Sequence, residues 1–337
     1  MFVRKWVDML ILNADDVRAA LPMAQAIEAM KSAFAALSDG RAEVPLRTQL
    51  PIKSRNAVTL FMPAYVLDEK GESLVVKVVS LFPNNALHGL PLIHAAVLVI
   101  EAHTGRTVAV LEGGTLTAIR TGAASGAATD ILAKPDARVV AIFGSGVQGR
   151  TQLEAVCSAR SIQTAWIYDR NTERRDELIA EMAGKEGIPA DLRPAESPAQ
   201  AVEDADVICA ATTSRTPVFA DADLKPGVHI NGVGSYAPEM QEIPAETVRR
   251  ALVVVDSRSA SMVEAGDLLK AILLGYITAK HIHGELGEIV LGRKPGRTSP
   301  DQVTFFKSVG VAVQDAVAAR LALENARISG LGQQVIW

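Results

Sequence analysis

Apolar residues recur at three- and four-residue spacing through LILNADDVRAALPMAQAIEAMKSAFAALSDG, the period of helices buried along one face. The run predicts a short strand and then helices, with Gly40 as the stop. From residue 58 to residue 111 the pattern changes to β-branched-rich runs: VTLFMPAYVL, SLVVKVVSLF, LIHAAVLVIEA and RTVAVLEG. Turn sequences such as DEKGE and HTGR separate them, which predicts a mostly antiparallel sheet. A helix of small residues follows at about 116–132. Beyond KPDA, strands at 138–143, 164–168, 206–211, 228–233 and 252–256 alternate with helical stretches such as TERRDELIAEMAG. Such alternation predicts a parallel, doubly wound sheet. KPGRTSPDQ reads as a loop, and a helix apolar along one face at about 309–326 returns towards the first part. The fold class expected is therefore α/β: a Rossmann-type domain beside an α+β domain with a mostly antiparallel sheet.

A chain of 337 residues has room for about two such domains. Net charge is −4 with no lysine- or arginine-rich block, which argues against nucleic-acid binding but leaves small anionic ligands open. Cys157 and Cys209 fit no metal or redox spacing and read as buried, inert thiols, so a reducing cytoplasm is expected. The opening MFVRKWVDMLILNADD makes a poor secretory leader, because Asp8 interrupts its apolar patch and acidic residues end it. No run approaches the length of a membrane span, and no membrane partner is expected.

The loop GSGVQG follows the apolar strand VVAIF, opens a helix, and has Asp169 at the end of the next strand. That context is the dinucleotide fingerprint. Gly144 allows the tight turn, Gly146 lets backbone approach a pyrophosphate, and Gly149 allows close helix–strand packing. Ser145, Val147 and Gln148 belong to the same loop and helix start, where N–H groups and the helix dipole face an anion. Asp169 suits the ribose hydroxyls of NAD, whereas Arg170, Arg174 and Arg175 could pair with the 2′-phosphate of NADP. Use of both NADH and NADPH is expected.

Three cations stand where charge is unexpected. Lys77 interrupts LVVKVVS, and by itself reads as an edge-strand lysine sooner than one facing a pocket. Arg47 in VPLRTQLP reads as a surface residue. Arg120 lies in GGTLTAIRTGAASGAAT, on a helix of small residues that packs closely. A buried arginine there needs an anion, either a distant Asp or Glu or the carboxylate of a ligand. HIHGE, with His281, His283 and Glu285, reads as a surface loop that lacks a good third-ligand framework, and no metal site is expected. His94 reads as a core histidine, and Glu242 and Glu264 as conceivable partners of the cations.

The run GLPLIHAAVLVIEAHTGRTVAVLEGGTLTAIRTGAASGAATDILA, then GSGVQG, then HINGVGSYAPEMQEI, resembles the ornithine cyclodeaminase/μ-crystallin family. The likeness covers nearly the whole chain, and TAIRTGAAS is far more specific to the family than the glycine loop. It implies a substrate-binding and dimerisation domain at 1–128, completed by 310–337, and a Rossmann domain at 129–309. It also implies a homodimer formed through the first sheet. Arg47 and Arg120 would hold a substrate carboxylate, with Lys77 beside the reacting nitrogen. His88 in ALHGLP would lie near the pocket mouth. Thr212, the strand from Asn231 to Val233, Ser308 and Val309 would line the nicotinamide side.

Two positions depart from the family pattern. Leu92 stands where many relatives have threonine, and Tyr236 stands where cyclodeaminases carry a basic aspartate. A tyrosine, with a pKa near ~10, is a poor base at neutral pH but can donate a hydrogen bond. The resemblance therefore implies NAD(P)H-dependent reduction of a preformed cyclic imino acid, with Lys77 or Tyr236 supplying the proton. Alanine or N-alkyl amino-acid dehydrogenase is the second expectation. Ornithine cyclodeaminase follows, and then a μ-crystallin-like binding protein.

Overall fold

The computed structural model describes residues 8–185 and 187–336, so most of the cationic start read against a leader lies outside the described residues. The chain divides into two compact units, Met1–Arg120 with Ala312–Trp337, and Thr121–Val311.

The first unit is built on β1 (Asp8–Leu12), β2 (Ala42–Glu43), β3 (Thr48–Ile52), β4 (Ala57–Asp68), β5 (Gly71–Leu81), β6 (Ile93–Ile100) and β7 (Thr107–Glu112). The C-terminal strand Gln333–Ile336 completes the sheet, in the order C-terminal strand, β1, β7, β6, β5, β4, β2, with β3 also paired to β4. All pairings are antiparallel except β1 with β7. Period-two alternation turns Ser73, Val75, Lys77 and Val79 of β5 to the buried face. The C-terminal helix Ala312–Ser329 covers that face, packing on β4, β5, β6 and on helix α2 (Met23–Ser38), which follows α1 (Ala14–Ala20). Ser73 Oγ donates to the Ala316 carbonyl across this contact at 2.6 Å.

The strand β5 has neighbours on both sides, so Lys77 is an interior residue and not an edge residue. His94 corrects a second expectation: it is exposed, because the first residues of β6 run beyond the covered part of the sheet.

The helix α3 (Gly113–Leu132) begins directly after β7, where the Glu112 carboxylate accepts the N–H groups of Gly114 and Thr115. The second unit then adds β8 (Val139–Phe143), β9 (Thr164–Tyr168), β10 (Asp191–Pro194), β11 (Val207–Ala210), β12 (His229–Gly232), β13 (Leu252–Val255), β14 (Ile282–Glu285) and β15 (Thr304–Lys307). They form one parallel sheet in the order β10, β9, β8, β11, β12, β15, β13, β14. The strands β11, β12 and β15 are buried throughout, as strands covered on both faces must be.

HIHGE is thus not a loop but largely the edge strand β14, and β10 and β15 are four-residue strands too short to register as a pattern. Cys157, on helix α4 (Val147–Ala159), and Cys209, on β11, are free thiols, and burial pushes each up to about 12. Among the described residues no helix is long and apolar enough to cross a membrane.

Candidate active site

In the first unit, Lys77 and Arg120 converge on one acid that the sequence reading did not name. Asp315 lies in the first turn of the C-terminal helix, where the helix dipole favours a carboxylate. Its Oδ2 is 2.7 Å from Lys77 Nζ, and its Oδ1 accepts from Arg120 Nε at 3.1 Å. Arg120 Nη1 also donates to Gln314 Oε1 at 2.9 Å. All three charged residues are buried, and Asp315 completely so. The anion that Arg120 requires is therefore in part internal. One carboxylate nevertheless faces more than one positive charge. Burial lowers the Lys77 pKa to about 8; Asp315 opposes the shift, while Arg120 and Arg47, just before β3, add to it. Arg47 thus shares the same electrostatic neighbourhood.

In the second unit, the glycine loop has the shape a pyrophosphate needs. Gly144 sits at φ +97°, which side-chain-bearing residues rarely adopt. A β-carbon on Gly149 would stand 1.9 Å from the Gly144 carbonyl oxygen, so glycine is required where α4 meets the loop. Around Gly146, by contrast, no atom lies within 4 Å of where a β-carbon would be. That open side adjoins the N-terminus of α4, with Val147 64% exposed beside it. Ser145 Oγ is buried without a hydrogen-bond partner. Asp169 Oδ2 accepts the Ser145 N–H at 2.7 Å and its Oδ1 accepts that of Asn171 at 2.9 Å, which ties the end of β9 to the loop. These residues fit a dinucleotide: the loop and helix start would hold the pyrophosphate, and Asp169 the adenosine ribose.

Of the arginines expected to meet a 2′-phosphate, Arg170 and Arg174 are exposed after β9. Arg175 is not available. It is buried and bonded to Asp176, Glu196 and the Ala195 carbonyl.

The segments expected on the nicotinamide side follow β11, β12 and β15. Thr212 donates its N–H and hydroxyl to Glu242 Oε1 at 2.5 and 2.8 Å. Asn231 is turned into the core, where its amide meets Thr129 Oγ1 at 3.0 Å and His229 Nε2 at 3.2 Å. Those bonds engage its side chain inside the unit. Val233 continues the strand ladder through its N–H to Ala210. Ser308 Oγ, Val309 N–H and Gly310 N–H all donate to Asp256 Oδ2 at 2.8 Å. Glu242 has Lys307 and Asp267 as its charged neighbours, and burial drives its pKa upward.

Tyr236 exposes 39% of its surface, and burial of the remainder together with Glu239 raises its pKa. It is neutral at pH 7 and suited to donating a proton or hydrogen bond. His88 ends a 3₁₀ turn at Pro83–His88 and is exposed. His281 Nε2 and His283 Nε2 meet the carbonyls of Val248 and Pro295, both at 2.9 Å. Among the described residues no group of three His, Cys, Asp or Glu side chains is arranged for a metal.

A model of the ornithine cyclodeaminase/mu-crystallin family matches residues 7–330. The chain belongs to that family. A Delta(1)-pyrroline-2-carboxylate reductase of Bacillus cereus is 38% identical to it over 328 residues, covering 97% of this chain and 99% of that protein. Among solved structures of the same architecture, Thermococcus litoralis Delta(1)-pyrroline-2-carboxylate reductase, in complex with NADH and L-proline, is 43% identical. That match covers 97% of this chain and 100% of the other, with a TM-score of 0.92. An archaeal alanine dehydrogenase dimer with bound NAD is 29% identical, covering 98% and 99% of the two chains, with a TM-score of 0.89. Family membership carries the fold expectation with it: an α/β chain with one parallel and one mostly antiparallel sheet.

Proposed function

We propose that this chain is an NAD(P)H-dependent reductase of a small cyclic imino acid, Δ1-pyrroline-2-carboxylate or Δ1-piperideine-2-carboxylate, yielding L-proline or L-pipecolate. The observation that carries the reading is the buried pair of cations Lys77 and Arg120 set on Asp315, the one carboxylate among the described residues bonded to both, with Arg47 in the same electrostatic neighbourhood. Asp315 and Gln314 use two of the five N–H donors of the Arg120 guanidinium, so the fork retains donors for a ligand carboxylate. The reductase names of the Bacillus cereus and Thermococcus litoralis relatives support the same substrate class.

Bound nicotinamide supplies the hydride, which the imine receives at C2 while its nitrogen takes a proton. Arg120 and Arg47 hold the carboxylate, which fixes the orientation of the imine. Lys77, with its pKa lowered to about 8, is an ammonium group acidic enough to give up a proton near neutral pH. Tyr236 donates a hydrogen bond or the proton, directly or through water. It does not replace the base that oxidative cyclodeamination of ornithine needs, because its pKa is raised. The likeness to alanine dehydrogenase keeps an amino-acid dehydrogenase as the second reading, since the same cations would hold an α-keto acid.

Leu74, Val76, Val78 and Leu98 form a half-buried apolar stripe on the face of the first sheet away from the C-terminal helix. That stripe and the dimeric alanine dehydrogenase support a homodimer. The two free thiols support a cytoplasmic setting.

Activity should depend on protonated Lys77. Below a pKa of about 8 the ammonium form dominates, and above it the donor is lost. Accordingly kcat/KM for the imine is expected to fall about tenfold per pH unit on the alkaline side. A flat profile to pH 10 would remove Lys77 as the donor. The reaction class is tested by following NADH and NADPH oxidation with Δ1-pyrroline-2-carboxylate, then with pyruvate plus ammonia, and NAD reduction with ornithine. Turnover confined to the imine supports the reductase. Rapid ornithine conversion would contradict it, and silence throughout would favour a binding protein.

A further inference from the structure

The strand order of the second unit reverses at β8 and β11, and dinucleotides lie across the carboxyl ends of strands at such a point. Asp169, after β9, marks the adenosine side and the glycine loop the middle. The other half of the ligand therefore falls over the ends of β11 and β12. There, two chain segments with no regular pairing of their own converge on one buried carboxylate. Glu242 Oε1 accepts the N–H and hydroxyl of Thr212, and Oε2 accepts the N–H groups of Gly234 at 2.7 Å and Ser235 at 3.1 Å. Glu242 is held in turn: its own N–H and that of Ile243 donate to Asp267 Oδ1 at 2.6 and 3.0 Å. Lys307 Nζ, at the end of β15, stands 3.2 Å from Asp267 Oδ2. The clamp reaches the glycine loop as well, since a β-carbon on Gly144 would meet the Ala211 carbonyl oxygen at 2.6 Å and Thr212 Cγ2 at 3.3 Å.

We propose that Glu242 is the positioning residue for the nicotinamide half of the dinucleotide, fixing the segments that leave β11 and β12 into one rigid surface. The proposal rests on the dinucleotide reading given above. A carboxylate is the group the arrangement demands, because all four partners are donors and an ionised acid presents only acceptors. Glutamine would turn an NH₂ group towards one pair of those donors and leave them unsatisfied.

The test is direct binding of NADH and of ADP to wild-type protein and to Glu242→Gln, by calorimetry. ADP reaches the glycine loop and Asp169 but carries no nicotinamide. We expect the variant to bind NADH at least about tenfold more weakly while its ADP affinity stays within about twofold of wild type. Thr212→Val removes the hydroxyl that donates to Glu242 and accepts the Ser214 N–H, and should shift the same ratio in the same direction by a smaller factor, which keeps the proposal testable if Glu242→Gln does not fold. Equal weakening of both ligands, or unchanged NADH affinity in a folded variant, would overturn it. Wild-type protein that binds neither ligand would overturn the dinucleotide reading itself and this role along with it.

Discussion

Replacing Arg120 with methionine is expected to lower kcat/KM for the cyclic imine by about a hundred- to ten-thousandfold. Hydrogen bonds to a charged group contribute about 1.5–3 kcal/mol each, and about 1.4 kcal/mol is a factor of ten. A forked pair lost from the substrate carboxylate therefore reaches that range. KM should rise because the contact exists in the ground state. The value of kcat should fall too, because a carboxylate held only by Arg47 leaves the imine poorly oriented for reduction. Asp315 keeps Lys77 as its counter-ion at 2.7 Å, so the variant should fold, and a thermal denaturation scan checks this. Arg120→Lys should recover little, since an ammonium cannot present two parallel donors. Wild-type kinetics in a folded Arg120→Met protein would take Arg120 out of the site.

Lys77→Met should act mainly on kcat, by about a hundred- to ten-thousandfold, the usual worth of a general acid. Methionine keeps an unbranched, apolar stem among Met62, Val75, Val79 and Val97, so packing on the buried face is conserved. Asp315 remains bonded to Arg120. The variant's residual rate should also lose the alkaline fall near pH 8 that Lys77 imposes on the wild type. A retained alkaline limb would assign the proton to another group, Tyr236 first.

The sequence carried the glycine loop because its chemistry is local: three glycines, a strand before, a helix after, an acid on the next strand. Lys77 and Arg120 were legible as misfits in apolar runs. Their shared partner was harder to name, since Asp315 is 195 residues from Arg120 and only the fold joins them. Its signal was nonetheless present, for VGVAVQDAVAARLA is a small-residue helix with one early acid, the same anomaly that marked Arg120. Glu242 was noticed only as a conceivable partner of the cations. Its true partners are backbone N–H groups and one hydroxyl, which no side-chain pattern encodes. The inward turn of the Asn231 side chain was not legible for a related reason. Alternation fixes which face of a buried strand a residue occupies only when the two faces differ in polarity, and β12 is buried on both.

The cation-bound carboxylate is the heart of the proposal, and truncating the substrate and the protein together tests it most directly. Wild-type and Arg120→Met proteins would each be assayed with Δ1-pyrroline-2-carboxylate and with Δ1-pyrroline, which lacks the acid group. If Arg120 grips that acid, removing the acid lowers kcat/KM at least as much as Arg120→Met does, since Arg47 loses its contact too, and the two changes together cost scarcely more than removing the acid alone. Losses that simply multiply would mean that Arg120 and the carboxylate never meet.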